Sequence, residues 1–220
     1  MRGFCLHVSG GWACYTRPEC KVERVSYEVP TPTVVRSIFE AILWKPAINW
    51  VPDGVRVLNP IRWMNTVTNE VPFVRPDRGS LAPVLVADRI QQRNNRVLRD
   101  VSYLFFAHFE LRNRGLQEST QVEAEAKYAS MFQRRASKGK SFHVPYLGQK
   151  DYPCDFELVE NPEKGYAPIA VTKDLGLMFH SWSYDSEGNV PEDGVSPRFF
   201  QAKMEDGSVW FPNLGSGEVF

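Results

Sequence analysis

The stretch 101–111, VSYLFFAHFEL, constrains the fold more than any other part of the chain. Val101, Tyr103, Phe105, Ala107, Phe109 and Leu111 recur with a period of two, so they share one face of an extended strand. Leu104 and Phe106 keep much of the opposite face apolar, which suits a strand covered on both sides. A central strand is therefore expected here, with further strands beside it and other elements packed over it. The chain has 220 residues, 43% of them apolar, which is enough to bury such a core within one or two compact domains.

The neighbouring pattern supplies the partners. Phe4, Leu6 and Val8 alternate with Cys5, His7 and Ser9 as a first strand, and KVERVSYEV at 21–29 alternates as an extended arm. Thr31 followed by Pro32 starts a helix whose buried face is Val34, Val35, Ile38, Phe39 and Ile42, and that helix must stop before Pro46. AINWV and VRVLN flank Pro52-Asp53-Gly54 and read as a hairpin. Residues 72–83, rich in proline, read as a mobile loop, and the segment after it carries Arg89, Arg93, Arg96 and Arg99. A second helix is expected from Thr120, with Glu123 completing a capping box, to a stop at Gly139. CDFELV then adds a strand.

The order strand, helix, strand hairpin, strand, helix, strand is that of a ferredoxin-like βαββαβ unit, the layout of RNA-recognition domains. The expected fold class is α+β: a ferredoxin-like domain over 1–160 and a small antiparallel β-rich domain over 161–220. The latter is built from LGLMFHSWSY, FFQAKM and VWFP, the last two joined around Asp206-Gly207, as a small antiparallel sheet packed on, or extending, the first domain.

A formal net charge of zero conceals a dipole. Residues 1–150 carry 22 Lys and Arg against 13 Asp and Glu, whereas residues 151–220 carry 4 against 13. Either solvated charges are merely segregated, or the first part binds a polyanion and the acidic end turns away from it or towards a basic partner. Cys5, Cys14, Cys20 and Cys154 make no CxxC pair and suit reduced thiols. His7, His108, His143 and His180 follow no metal-ligand spacing, so neither metal nor cofactor is expected. With no apolar run of membrane-spanning length and no leader pattern, an intracellular, cytoplasmic location is expected.

The second helix concentrates the chemistry. Lys127, Met131, Arg134 and Lys138 fall on one stripe, with Tyr128, Phe132 and Arg135 on the next. Beyond it, GKSFHVPYLG at 139–148 sets Lys140, Phe142, His143 and Tyr146 between glycines. Cations, aromatic rings and a flexible backbone can grip phosphates and stack unpaired bases. The plainer alternative is a solvated helix face with Tyr128 and Phe132 in the core. His108, opposite the apolar face of its strand, is read as structural or RNA-facing.

Several blocks, taken together, resemble one family: YTRPECKVERVSYEVPTPTVVRSIFEAILWKPAINW, VLNPIRW, VSYLFFAHFEL and KYASMFQRRASKGKSFHVPYLG. They are similar, in order and spacing over residues 12–160, to the bacterial CRISPR-associated family numbered five, variant d, of the Dvulg or type I-C systems. The resemblance implies a metal-independent endoribonuclease that cuts the repeat hairpins of precursor CRISPR RNA. In that chemistry a ribose 2′-hydroxyl attacks the adjacent phosphate, leaving a 2′,3′-cyclic phosphate and a 5′-hydroxyl. It also implies that the protein stays on the 5′ handle as a subunit of the type I-C interference complex, with the other subunits as partners.

The family's working residues are a tyrosine before WKP and a Lys-His pair in the second helix. Here the lysine is Lys127, the histidine position holds Tyr128 and the tyrosine position holds Leu43. The resemblance therefore points to Lys127, Tyr128 and, as a replacement base, His143 as catalytic residues, unless His143 is an ordinary loop histidine. Arg134, Arg135, Lys138, Gly139 and Lys140 are the expected RNA contacts. The competing reading is a handle-binding assembly subunit with little or no cleavage, and binding of duplex DNA is compatible with either.

Overall fold

The computed structural model describes residues 3–20, 22–71, 87, 90–112, 118–184 and 194–220. In chain order its elements are β1 (Phe4–Ala13), α1 (Pro32–Ile42), β2 (Ile48–Val57), β3 (Trp63–Glu70), β4 (Gln91–Leu111), α2 (Glu118–Ala136), β5 (Asp155–Val159), β6 (Lys173–Trp182), β7 (Pro197–Met204) and β8 (Ser208–Trp210). The result is a mixed α/β protein with antiparallel sheets. The main sheet runs β5-β1-β4-β2-β8, with β3 paired to the outer part of β4, and β6 and β7 form a second, two-stranded sheet.

The expected central strand is present, and at 21 residues it outruns its apolar segment. Its inner half lies between β1, where Phe4, Leu6 and Val8 oppose Ala107, Phe105 and Tyr103, and β2, where Trp50 opposes Phe109. Its outer half pairs with β3, from Leu98 opposite Trp63 to Gln91 opposite Glu70, with the end of β1 reaching Leu98 and Arg99 on the other side and Val25 bridging to Arg96. Asp100 separates the halves with a left-handed φ of 53°. Asn59 holds that kink by donating to the Asp100 carbonyl at 2.8 Å.

Both helices cover the face that carries Phe4, Trp50 and Phe109. Helix α1 buries Val35, Ile38, Phe39 and Ile42, and α2 contributes Phe132 and Ala136. Phe132 meets Phe4 and Trp50 at centroid distances of 4.8 Å each, and Phe39 meets Trp50 at 4.9 Å. These separations suit favourable edge and tilted ring contacts. The buried Trp50 indole N–H is satisfied by the Leu43 carbonyl at 2.8 Å.

Two local expectations are corrected, and a third, the place of the C-terminal strands, is made specific. Pro52-Asp53-Gly54 is no hairpin turn: β2 continues through it as one strand with a bulge between Pro52 and Gly54, because both flanks pair with the same partner, β4. A bulge and a tight turn use the same residue types, and Pro52 costs no ladder bond on the side where β8 reaches only Gly54–Arg56. Helix α2 begins at Glu118, so Thr120 and Glu123 lie inside it and form no capping box at its start. The segment VWFP does not complete a sheet with FFQAKM alone. Asp206 and Gly207, with φ of 44° and 75°, make the tight turn, after which β8 leaves β7's sheet and joins β2.

Other expectations hold. The helix stop at Gly139 is observed, with φ of 60° and the Lys140 N–H returning to the Arg135 carbonyl at 3.0 Å. The arm runs beside β4, where the Ser26 N–H donates to the Arg96 carbonyl at 3.0 Å. Met178, Phe200, Met204, Val209 and Phe211 from the C-terminal part share one apolar cluster with the main-sheet residues. The expected mobile loop at 72–83 and Arg89 lie outside the described residues.

Candidate functional site

Helix α2 divides its side chains as its spacing requires. Phe132 and Ala136 are buried, and Tyr128 and Met131 pack partly against the core. Lys127 and Arg134 are exposed along the opposite side, and Lys138 is exposed in the turn that follows the helix. The cationic stripe and the apolar stripe are therefore both real, one in water and one in the core. Lys127 places its Nζ 5.8 Å from the centre of the Tyr128 ring, within cation–π range.

Arg135 behaves differently from its neighbours. Its Nη1 donates to the Ile42 carbonyl at 2.9 Å, satisfying one of the orphan acceptors at the end of α1 and lashing the two helices together. This bond gives it a structural task the sequence did not reveal.

The glycine-flanked loop folds back on the same end of α1. The Phe142 N–H donates to the Ala41 carbonyl at 2.7 Å, and the His143 ring stands edge-on to Phe142 at 4.5 Å. The loop's far end is fixed at Gly148, where a Cβ would lie 2.0 Å from the Cys14 carbonyl oxygen and φ is 87°. Between loop and helix opens a groove of about 630 Å³, lined by Glu40, Trp44, Phe142, His143, Tyr146 and Lys150 among others. Trp44 is 58% exposed and Phe142 78% exposed, which leaves two large aromatic faces in water. Gly139 and Lys140 lie exposed at the mouth of this loop.

Lys127 and Tyr128 are thus brought together, and Arg134, Lys138 and Lys140 continue the basic line. His143 belongs to a separate cluster: nine residues of helix, about 14 Å of axis, separate Lys127 from the end of α2. Among the described residues no hydrogen bond or ring contact joins His143 to Lys127 or Tyr128. Leu43, at the resemblance's tyrosine position, is fully buried and offers only its carbonyl, which Trp50 already uses.

Two features escaped the sequence reading. Trp44 falls off the α1 periodicity of Ile38, Phe39 and Ile42, and that mismatch was the available signal. The second is a pair across the β2 bulge, where His108 Nδ1 lies 2.7 Å from Asp53 Oδ1, both side chains partly exposed. Burial pushes the Asp53 carboxyl up and the adjacent His108 opposes that shift. The other histidines are otherwise engaged: His7 Nε2 lies 2.9 Å from Ser102 Oγ. His180 Nε2 donates to the Pro212 carbonyl at 3.0 Å, and burial lowers its pKa. Cys5 and Cys154 are buried thiols, each pushed up to about 12 by burial. Among the described residues no three His, Cys, Asp or Glu side chains gather to hold a metal ion, and no helix is long and apolar enough to cross a membrane.

Comparison with known proteins first gives a class. The fold is similar to a solved structure described as a CRISPR-associated protein, with a TM-score of 0.70 and 25% identity, covering 98% of this chain and 94% of that one. A chain of a CRISPR RNA-guided surveillance complex shares the fold at a TM-score of 0.51 and 12% identity, covering 95% of this chain and 88% of that one. The particular assignment is sharper. The Cas5d family, described as CRISPR-associated protein (Cas_Cas5), matches residues 3–212, and the chain belongs to it. It is 38% identical to the CRISPR pre-crRNA endoribonuclease Cas5d of Mannheimia succiniciproducens, covering 97% of this chain and 96% of that protein.

Proposed function

We propose that this chain is an endoribonuclease that cuts the repeat hairpins of precursor CRISPR RNA and then keeps the 5′ handle as a subunit of a type I-C interference complex. The observation that carries the reading is the 38% identity, over nearly the whole of both chains, to a protein named for pre-crRNA cleavage. Cleavage by 2′-hydroxyl attack needs no metal; it needs positioning, a base, a cation for the phosphorane and an acid for the leaving 5′ oxygen. Lys127 is the cation. Tyr128, held beside it, is the acid; His143 serves as base only once RNA binding draws its loop towards Lys127, from which it is separated in this structure. Arg134, Lys138, Gly139 and Lys140 track the RNA backbone, and Arg135 holds α2 against α1 beneath them.

The N-terminal part, 1–160, is read as ferredoxin-like, supported by the antiparallel order β5-β1-β4-β2 with both helices on one face. Residues 161–220 are read as the β-rich C-terminal part, packed on the first through a shared core. The surplus of cations in 1–150 also suits duplex DNA, and a cytoplasmic location suits the substrate.

The test is single-turnover cleavage of the repeat hairpin from the chain's own system, in EDTA, with the product ends identified. A 2′,3′-cyclic phosphate end is the expected result. A hairpin that is bound but left intact, with or without divalent metal, replaces the enzyme by a handle-binding assembly subunit.

A further inference from the structure

A cavity of about 350 Å³ opens at the edge of the main sheet, where β8 stops short and leaves the first half of β2 uncovered. Its wall comes from α1 (Thr33, Arg36), β2 (Asn49), β4 (His108, Glu110) and β6 (His180). It shares none of these residues with the groove that holds His143. Its volume lies at the lower end of small-ligand sites, which run to about 300–1,000 Å³.

The lining is bipolar. On one side stands Arg36, whose Nη2 donates to the Asn49 side-chain oxygen. Its Nε is buried without a hydrogen-bond partner, 3.5 Å from Glu40 Oε1. The first turn of α1 lies beside it and adds the positive end of a helix dipole. Because Arg36 occupies the Asn49 oxygen, the Asn49 amide nitrogen is left with its two donors. Beside Asn49, on the neighbouring strand, the lining adds two acceptors. Glu110 is a carboxylate whose side chain belongs to the same sheet face as Asn49, the residue it opposes. His108 is fixed by Asp53: with Nδ1–H donating to that carboxylate, Nε2 keeps a lone pair. His180 has both nitrogens engaged, by Ser181 and Pro212, and serves as wall.

A simple anion placed here meets Glu110, and a simple cation meets Arg36. A nucleotide satisfies both, with phosphate or base oxygen towards Arg36 and base N–H groups towards Glu110 and His108. Among the four bases guanine alone offers two adjacent donors, N1–H and N2–H, next to an acceptor oxygen, which matches a carboxylate beside a guanidinium. We propose that this cavity binds one unpaired guanine nucleotide of the repeat RNA, separately from the place of cleavage. Its connection to the repeat rests on the endoribonuclease reading above; the binding of guanine nucleotide itself does not.

The experiment titrates the full chain with 5′-GMP, AMP, CMP, UMP and inorganic phosphate, followed by calorimetry and NMR, in wild type, Glu110→Gln and Arg36→Gln. Hairpin affinity is measured in parallel with each exposed guanine replaced in turn by an abasic site. GMP is expected to bind about 5- to 150-fold more tightly than the other nucleotides, the range of one good bidentate base contact, and either substitution should remove that preference. One abasic hairpin should lose affinity by the same factor in wild type and lose nothing further in Glu110→Gln. The proposal is overturned if GMP binds no better than AMP or phosphate, or if both variants keep wild-type GMP affinity. Retained GMP preference in a chain that never cuts the hairpin would sink the enzyme and leave the cavity's ligand standing.

Discussion

The two faces of β4 obey different rules. The face with Tyr103, Phe105, Ala107 and Phe109 belongs to one buried cluster with residues of β1, β2 and the helices, where Phe109 meets both Phe4 and Trp50. The face with Leu104, Phe106, His108 and Glu110 begins apolar and ends polar, with His108 tied to Asp53 and Arg56 stacked 5.2 Å from Phe106. On the first face the energy lies in volume and is indifferent to chemistry beyond that. On the second, beyond the buried Leu104, it lies in which atom meets which, so single substitutions at its polar end should alter selectivity more than folding. Helix α2 repeats the division around its own axis, with Phe132 inward and Lys127 and Arg134 outward.

The deepest test of that division is Phe132→Ala. Removing a fully buried ring from the cluster of Phe4, Phe39 and Trp50 should cost about 3–5 kcal/mol, read as a lower urea midpoint with little change in slope. A cost under about 1 kcal/mol would show that α2 is not anchored as described.

Lys127→Ala belongs to the outward side. It should leave the urea midpoint in place while slowing hairpin cleavage by about 100- to 1,000-fold, the usual loss for one group that stabilises transition-state charge. Equal loss of stability and rate would erase the distinction between the two sides. The triple change Arg134→Ala, Lys138→Ala and Lys140→Ala should act on binding alone. Each phosphate contact adds about −0.7 to −0.9 to the log–log salt dependence, so the slope should flatten by roughly two to three units. Lys164→Ala with Lys173→Ala, in the acidic part, should change the slope little, the Lys173–Glu28 pair at 2.7 Å being a surface ion pair. The idea fails if the acidic-part changes matter more.

The smallest effect belongs to Asp53→Asn. Because burial raises this carboxyl's folded value above its ordinary 3.8, the folded chain binds more protons than the unfolded one across that window. Wild type should gain stability relative to Asp53→Asn as pH falls through the raised value towards 3.8, and lose that advantage as pH rises. Paired thermal melts at several pH values decide the sign.

What could be read from the chain follows the same division. Period-two alternation in 4–8 and 101–111 located β1 and β4, because burial of one face leaves its mark residue by residue. Pro52-Asp53-Gly54 was misread because a bulge and a turn differ only in what lies opposite, and the partner is His108 and its neighbours, some 55 residues away. Arg135 looked like its neighbours Arg134 and Lys138 until the end of α1 claimed it. Trp44 carried its signal openly, by missing the helical period. The His108–Asp53 pair carried none, since a strand histidine and a turn aspartate meet only once the register is set.

The pairing of Phe4 with Ala107 has a consequence for how the chain comes into being. Once β1 has left the ribosome it has no strand neighbour until about a hundred further residues have been made, roughly 5–20 s of synthesis. During that interval an apolar strand with two bare edges is exposed to every other nascent chain. Its second neighbour, β5, arrives later still, as Leu6 opposite Leu158 requires. The interval between β1 and its partners is therefore a window in which translation speed and chaperones act on this chain before its sheet can close.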